Sequence, residues 1–330
     1  MPRRTMTVTE LWAHPVGDRK TRIDLTDLPD GLDLLHAFYG FAADVTADQL
    51  LRDETESYAN VDGLETHGRS ATVAVDVGQY GENGKITDVE TMAEKDTYDS
   101  GDAISVVTHG LFTLPRGSTS ALVFVERSSN RSGVLRLLDL FRHKFRLAYP
   151  DHILEATSVV ESEAWLKYAD LTRVSAFRRK PRSDRADQGD VKAAWGELAH
   201  TLVPASGNRT LPRAIYDQLT AGEISASEVL GFTEFEDTTD VEVTLERNGR
   251  KKTFVIGLEK RPTLSYVLSN HGEEQWSTDR IRQYVFGTHI EELYRRCGFT
   301  WGATDSVGTW TDDDRDVRLE VRGGELEAAE

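Results

Sequence analysis

The sequence predicts a mixed α+β fold, with an α/β-like layered unit around residues 119–177 and a further β-hairpin and helices C-terminal to it. Three observations support this prediction: apolar runs of strand length, an apolar stripe of helical period over residues 134–148, and an Asn-Gly turn between two extended segments. The chain has 330 residues. Because a domain contains about 150 residues on average, this length favours two domains.

The N-terminal third is predicted to be a mainly extended unit with a polar outer face. GLDLLHAFYGF at residues 31–41 indicates a short helix. The alternating pattern of ATVAVDVG at residues 71–78 indicates a strand, and KITDVETM at residues 85–92 is predicted as its partner across the turn-like GENG. Acidic residues dominate residues 41–102, which contain 15 Asp and Glu and 4 Lys and Arg.

The layered unit has the most regular patterns of the chain. Residues 119–126, TSALVFVE, contain an uninterrupted apolar run and predict a strand buried on both faces. After the loop RSSNRSG at residues 127–133, the apolar stripe predicts a helix over residues 134–148. A strand at residues 152–160, a short helix at 162–170 and a strand at 171–177 are predicted to follow. This order is typical of an α/β layer, and it leaves the direction of the strands open.

The C-terminal part is predicted to be a second α+β unit. Asn248-Gly249 suits a type I′ turn, so DVEVTLE at residues 240–246 and KKTFVIGLE at residues 251–259 predict a hairpin. Gly222 is the predicted C-cap of a helix over residues 211–222. The other predicted elements are an amphipathic helix at residues 278–297, a short strand at 316–321, and a segment at 193–204 that is either strand or helix.

These elements give predicted domain boundaries. The N-terminal mixed domain covers residues 1–180, with its acidic segment at 41–102 and its basic residues at 127–180. A polar loop or linker at residues 181–190 leads to a C-terminal α+β domain at residues 191–322. The acidic tail at residues 323–330 is expected to fray.

The composition is that of an acidic protein. Asp and Glu number 56 and Lys and Arg number 39, so the formal net charge is −17. An acid excess of this size keeps a surface hydrated and self-repelling, as in halophilic proteins. We interpret the acidity as adaptation to a high-salt host rather than as a specific function. The scarcity of Lys relative to Arg is explained equally well by the composition of the genome.

Cysteine content and hydropathy bear on location. The single cysteine, Cys297, cannot form an internal disulfide or a Cys-based zinc site, which agrees with a reducing compartment. The sequence has no apolar run near the ~18 residues that a membrane helix requires. We therefore expect a cytoplasmic protein with no membrane partner, and we interpret Cys297 as structural.

Familiar catalytic and cofactor motifs are missing from the sequence. It contains no GxxxxGK[ST], no GxGxxG after a strand, no GxSxG, no HExxH and no EF-hand loop. We therefore assign no catalytic residue, no cofactor and no metal ligand. The three consecutive acids Asp312, Asp313 and Asp314 are interpreted as solvated charge, because divalent cations need oxygen ligands that converge in space.

Two Arg-His pairs resemble one element of a nuclease family. Arg136 with His143, and Arg282 with His289, have the spacing of the R-x4-6-H element of HEPN-type ribonucleases. Two helical turns place such a pair on one face, where both groups can act on a phosphodiester. Pairs of this spacing also arise by chance in an arginine-rich chain with 9 histidines, and that family is all-helical. A nuclease is therefore the third interpretation, without assigned catalytic residues.

Positive charge is concentrated in one segment. Residues 127–185 contain 13 Lys and Arg and 7 Asp and Glu, and AFRRKPRSDRAD at residues 176–187 holds five of these cations within eight residues. If the cations share a surface, they form a local positive field that attracts phosphates, to which the start of the helix after residue 133 adds amide donors. The candidate phosphate-binding or nucleic-acid-binding residues are Arg127, Ser129, Arg131, Ser132, Arg142, Lys144, Arg146, Arg178, Arg179, Lys180, Arg182 and Arg185.

Two functional interpretations follow from this segment. The first is a protein that binds a polyanion, either a nucleic acid or a phosphate-bearing ligand, through residues 127–185. The second is a protein–protein interaction module, or a subunit of a larger complex such as one encoded by a mobile-element or defence locus. In that case the basic face docks an acidic partner or the acidic segment of the same chain. Both interpretations stay open from the sequence.

Overall fold

The computed structural model describes residues 2–129, 131–160, 169–178, 198–231, 240–247, 250–256, 263–270 and 272–320. The chain divides into two compact units: unit 1 is Met1–Ser158 with Leu268–Glu330, and unit 2 is Val159–Val267. The predicted mixed α+β class is confirmed. The predicted linker at 181–190, helix at 162–170 and tail at 323–330 lie wholly or almost wholly outside the described residues, so these stay predictions.

The elements of the described residues have the following bounds. The strands are β1 (Arg4–Pro15), β2 (Ser57–His67), β3 (Ser70–Gln79), β4 (Gly84–Thr87), β5 (Glu94–Tyr98), β6 (Ile104–Thr113), β7 (Ala121–Ser128), β8 (His152–Ser158), β9 (Asp170–Arg178), β10 (Leu198–Leu202), β11 (Asp240–Arg247), β12 (Arg250–Ile256) and β13 (Ser265–Ser269). The helices are α1 (Leu34–Asp44), α2 (Ala47–Leu50), α3 (Gly133–Ala148), α4 (Arg213–Ala221), α5 (Ala226–Leu230), α6 (Thr278–Thr288), α7 (Ile290–Arg296) and α8 (Asp312–Arg315).

Unit 1 is built on a seven-stranded sheet in the order β13-β1-β7-β6-β3-β2, with β8 also paired to β1. β1 is antiparallel to β7, where Val8 lies opposite Phe124, and antiparallel to β8, where Ala13 lies opposite Leu154. β7 and β8 therefore run in the same direction. Parallel strands require a long crossover, and α3 provides it. The predicted β-loop-α-β order is confirmed, with β1 inserted between its two strands.

The main core of unit 1 lies between this sheet and helices α1 and α3. The predicted stripe of α3 is buried, including Val134, Phe141 and Phe145. The helix approaches the sheet closely, because a Cβ placed on Gly110 of β6 would lie only 2.6 Å from a Val134 methyl group. The helix predicted at residues 31–41 is present as α1, which begins three residues later, with Asp33 as its N-cap accepting a hydrogen bond from the Leu35 amide. The local patterns thus predicted both helices that cover this face.

Three predictions for unit 1 are wrong. Residues 85–92 do not pair with β3, whose neighbours are β2 and β6, and β4 pairs instead with β5. Alternation predicts a strand but does not specify its partner. The helix expected at 278–297 is divided at His289 into α6 and α7. The strand expected at 316–321 is absent over residues 316–320, where Arg318 instead pairs with Asp44 of α1.

Unit 2 contains a four-stranded antiparallel sheet in the order β10-β9-β11-β12. Its core includes Leu171 and Val174 of β9 with Val243 and Leu245 of β11. The predicted hairpin is confirmed as β11 and β12, and the segment left open at 193–204 contains strand β10. Helix α4 ends at Gly222 in the left-handed conformation (φ 72°), as its sequence predicts.

Candidate functional site

The first half of the basic segment begins at the end of β7. Ser128 and Arg131 form a tight bridge, with hydrogen bonds of 3.0 Å in both directions between their backbones. Ser129 lies between them in the left-handed region (φ 55°), and Ser132 occupies the N-cap position of α3. The amide of Gly133, which opens α3, donates to Thr108 Oγ1 at 3.2 Å in the protein interior. That helix-terminal amide therefore already has an internal acceptor.

Arg131 lies among acidic residues. Its Nη2 donates to Gln79 Oε1 at 3.0 Å. Both side chains line a polar cleft of about 270 Å³ whose other residues are Thr55, Glu56, Tyr80, Glu82, Tyr98, Asp102 and Ile104. Three carboxylates thus share the cleft with one guanidinium, so the local field around Arg131 is not positive.

Arg136 has a structural role in unit 1. Its Nη1 donates to the carbonyl oxygens of Leu50 at 2.7 Å and Ser57 at 3.1 Å, and its Nη2 bonds the Ser57 hydroxyl. Burial, and then the nearby charge of Arg52, lowers the pKa of Arg136. The guanidinium therefore joins α3 to the end of α2 and the start of β2, and it cannot contact a ligand without breaking these bonds.

The remaining cations of α3 are divided between internal contacts and solvent. Arg142 Nε donates to the Leu154 carbonyl at 3.0 Å, and its Nη1 lies 3.7 Å from Asp139. The Lys144 ammonium lies 5.5 Å from the centre of the Phe41 ring. Arg146 is exposed. Arg127, in β7, is half-buried opposite Thr5.

The second half of the basic segment belongs to unit 2. Arg178 is the last residue of β9 and pairs with Leu198 of β10. Of the other candidates, Arg179, Lys180, Arg182 and Arg185 lie outside the described residues. The twelve candidate residues are thus divided between two compact units.

A buried ion network in unit 1 was not predicted from the sequence. Glu126 of β7 is 1% exposed, and its carboxylate accepts from Arg4 Nη1 at 2.9 Å and lies 2.6 Å from His109 Nδ1. The His109 amide adds a bond of 2.9 Å. Burial by itself raises the pKa of Glu126, but the bonds and charges of His109 and Arg4 outweigh burial and hold this pKa below its usual value.

The only signal for this network in the sequence was a glutamate at the end of an apolar strand. Gln275, from the segment before α6, donates to the Val107 carbonyl at 3.1 Å, and so does Arg4 Nη1 at 2.9 Å. The network therefore connects the two segments of the chain that make up unit 1. The Glu126 carboxylate is paired with an imidazole and a guanidinium, as a buried charge requires, although the buried Arg4 Nε has no hydrogen-bond partner among the described residues.

The histidine pairs considered for nuclease chemistry have arginines in internal contacts. Arg136 bonds backbone carbonyls as described, and Arg282 pairs with Asp279 and with Glu65, the latter at 3.7 Å. His289 is buried, with its ring centre 4.6 Å from that of Tyr284. Burial raises the pKa of Cys297 to about 11, so this thiol stays protonated at neutral pH and is a poor nucleophile.

Metal sites and membrane spans were sought over the described part of the chain. No group of three or more His, Cys, Asp or Glu side chains there is arranged to hold a metal ion. No helix within those residues is both long and apolar enough to cross a bilayer. No protein family matches the chain, and no curated protein is similar to it in sequence.

Proposed function

We propose that the protein binds a polyanion, either a nucleic acid or another phosphate-bearing ligand, through the basic run of residues 178–185. The observation that carries this proposal is the charge density of the run, which holds five Lys and Arg and one Asp in eight residues. Its first residue, Arg178, belongs to β9 and pairs with Leu198 of β10.

The charge of the two units supports the same location. Unit 2 contains 16 Lys and Arg and 17 Asp and Glu, whereas unit 1 contains 23 and 39. Cations bind a polyanion by neutralising phosphates and releasing counterions, and this requires a surface that is not itself strongly negative. Unit 1 repels polyanions, which limits nonspecific contact to the basic run of unit 2.

The proposal leaves out Arg131 and three of the four cations of α3, whereas the fourth, Arg146, is exposed. Arg136, Arg142 and Lys144 are held by carbonyl oxygens, a carboxylate or an aromatic ring, and Arg131 lies among carboxylates. We therefore place the main contact of the candidate segment 127–185 at residues 178–185. The proposed location is the cytoplasm, which the single cysteine favours.

The test compares two variants that remove the same charge. The first changes Arg178, Arg179, Lys180 and Arg182 to Ala. The matched control changes Lys20, Arg116, Arg131 and Arg146, all exposed and in unit 1, to Ala. Fluorescence anisotropy with labelled single-stranded DNA, RNA and duplex DNA is recorded at about 50 and about 200 mM salt, where phosphate contacts differ strongly in strength.

We expect the wild type to bind at the lower salt concentration and the first variant to lose affinity. The slope of log K against log salt is expected to fall by about 3 to 4, because each phosphate contact contributes about 0.7 to 0.9. The control is expected to keep the wild-type slope. Equal losses in both variants, or no binding of the wild type at low salt, would show the proposal to be wrong.

A further inference from the structure

The hairpin of β4 and β5 is separate from the large sheet of unit 1. Residues 80–103 are an insertion between β3 and β6, which pair with each other from Ser70 opposite Thr113 to Gln79 opposite Ile104. Within the described part of the chain, β4 and β5 form a sheet of their own with two strands. Two-stranded sheets contribute little stability by themselves, so the fold of unit 1 does not explain why this hairpin is present.

The tip of this hairpin presents apolar side chains to solvent. Val89 is 79% exposed and Met92 is 77% exposed, which makes them the two most exposed large apolar side chains among the described residues. Ile86 of β4 is 48% exposed. Single exposed apolar residues are common on protein surfaces, but three within seven residues of one hairpin present apolar area, and its burial by a partner lowers the free energy.

The tip has a defined conformation. The Asp88 carboxylate accepts from the amides of Glu90 at 2.9 Å and Thr91 at 3.0 Å, and its backbone exchanges 2.8 Å bonds with Met92 and Ala93. Met92 is in the left-handed region (φ 57°), which a side chain other than glycine rarely adopts. An ordered tip loses little conformational entropy when it binds, so it is suited to docking.

Two ion pairs and a backbone hydrogen bond at its base hold the hairpin together. Lys85 pairs with Glu94 at 2.5 Å and Lys95 with Asp88 at 2.8 Å, so each of the two lysines has a carboxylate partner. At the base, the Gly81 amide donates to the Ser100 carbonyl at 2.9 Å. The hairpin is therefore held at both ends, and its negative charges exceed its positive ones.

The excess negative charge around the tip indicates which class of partner can bind there. Residues 82–102 contain seven Asp and Glu but only the two lysines already paired. The excess carboxylates include Glu90 and Asp96, which are exposed and flank the apolar tip. This rim repels nucleic acids and anionic lipids, and it disfavours a second copy of a chain with a net charge of −17. A cationic surface is the complementary one.

We propose that the hairpin of residues 84–98 docks a basic amphipathic segment of another protein. The apolar stripe of that segment covers Ile86, Val89 and Met92, and its Lys and Arg side chains face Glu90 and Asp96. The site lies in unit 1, apart in the sequence from the polyanion-binding run of unit 2, and it does not depend on that function.

The test uses the full chain and three synthetic peptides. The probe is an amphipathic helical peptide of Leu and Lys. A scrambled peptide of the same composition and an amphipathic Leu and Glu peptide are the comparison probes. The protein variant is Val89→Ser with Met92→Ser, and its matched control is Val16→Ser with Val307→Ser, which are 58% and 65% exposed and lie outside the hairpin. None of these substitutions changes the net charge.

Binding is measured by isothermal titration calorimetry, and the contact is located by amide hydrogen exchange. We expect the Leu and Lys peptide to bind best and to protect residues 84–98. The hairpin variant is expected to weaken this binding by at least about tenfold, as loss of a central apolar contact does. The Val16 and Val307 control is expected to bind like the wild type, and circular dichroism is expected to be unchanged in both variants.

Several results would overturn the proposal. They are no binding of the Leu and Lys peptide at low salt, equal binding of the scrambled peptide, protection outside residues 84–98, or equal weakening in the two variants. Self-association of the wild type that the hairpin substitutions abolish would also overturn it, since the occupant would then be a second copy. A polyanion titrated against the same hairpin variant separates this site from the proposed function, because that affinity is expected to be unaffected.

Discussion

Units 1 and 2 differ in the balance of their charges: unit 1 contains 39 Asp and Glu and 23 Lys and Arg, whereas unit 2 contains 17 and 16. In unit 1, arginines are bound within the fold: Arg4 pairs with Glu126, Arg69 with Asp33, and Arg136 with two backbone carbonyls. In unit 2, Arg213 is also bound, with Nη1 donating to the Ala169 carbonyl at 2.6 Å, and five cations are concentrated in residues 178–185. The number of cations in a segment therefore does not define a positive surface, because acceptors from distant parts of the chain can bind each guanidinium within the fold.

Arg69 illustrates how a cation of unit 1 is bound within the fold. Its Nε donates to the Leu114 carbonyl at 2.8 Å and its Nη2 to Asp33 at 2.7 Å, while its Nη1 lies 3.4 Å from His36 Nε2. The planar guanidinium has five donors in a fixed geometry, so one side chain can connect three elements. Unit 1 is therefore acidic at its surface and also contains cations in its interior.

The largest effect is expected from removal of the buried carboxylate of unit 1. Glu126→Ala leaves Arg4 buried without its partner, and we expect a loss of about 3–5 kcal/mol in the free energy of unfolding, measured by urea denaturation. In unit 2, Glu246→Ala removes only an exposed ion pair with Lys251. We expect that variant to change stability by less than about 1 kcal/mol. Similar losses of unfolding free energy in the two variants would show that the buried and the exposed carboxylate contribute equally to stability.

The next effect concerns Arg136 of α3. Arg136→Ala leaves the Leu50 carbonyl without this donor and removes the bonds to Ser57, whose carbonyl keeps the Arg52 amide as a donor. We expect a loss of about 1–3 kcal/mol in the free energy of unfolding. Arg146→Ala removes an exposed charge from the same helix and is expected to change stability by less than about 0.5 kcal/mol. Anisotropy with nucleic acid should give wild-type affinity for both variants. Reduced affinity in Arg136→Ala would return α3 to the candidate site.

Added salt is expected to stabilise unit 1 more than unit 2. The Debye length falls from ~10 Å at 0.1 M to ~3 Å at 1 M salt, so added salt screens repulsion between exposed carboxylates. Unit 1 has 39 acids and 23 bases, whereas unit 2 is almost balanced. We therefore expect added KCl to increase amide protection more in α1 and α3 than in β9 and β11, measured by hydrogen exchange. Equal increases would argue against unit 1 as the source of the salt effect.

The smallest effect is a pH dependence at His36. Burial lowers the pKa of His36 below its usual value of 6.5, as does Arg69, and Asp33 and Asp314 only partly oppose this. As the pH falls, His36 is protonated in the unfolded chain before it is protonated in the folded one. The contribution of neutral His36 to the free energy of unfolding is therefore fully present above pH 6.5 and is lost as the pH falls through the lower pKa of the folded state. His36→Gln should remove this part of the acid destabilisation. Parallel curves of unfolding free energy against pH for variant and wild type would contradict the assignment.

Local patterns predicted the elements that depend on neighbouring residues. The apolar stripe predicted α3, the uninterrupted run predicted β7, and the Asn-Gly turn predicted the β11–β12 hairpin. These predictions succeeded because helix and strand periods are read within ten to twenty residues. The partner of residues 85–92 was predicted wrongly, because pairing depends on contacts that the period does not encode.

Long-range contacts decided the features that sequence reasoning missed. β1 was not predicted, although it lies between the strands of the β7-α3-β8 crossover. The strand expected at residues 316–321 is absent over residues 316–320, where Arg318 instead pairs with Asp44 of α1. Neither contact leaves a local signal, since the partners are far apart in the sequence.

The sequence by itself determined the mixed α+β class, the acidic surface and the concentration of cations in residues 127–185. Only the tertiary structure decided which of the described cations are engaged, because the acceptors of Arg131 and Arg136 come from residues more than fifty positions away. It also decided that the two most exposed large apolar side chains of the described residues, Val89 and Met92, lie on an acidic hairpin. Charge can be counted along a chain, but a binding surface depends on which groups the fold has already satisfied.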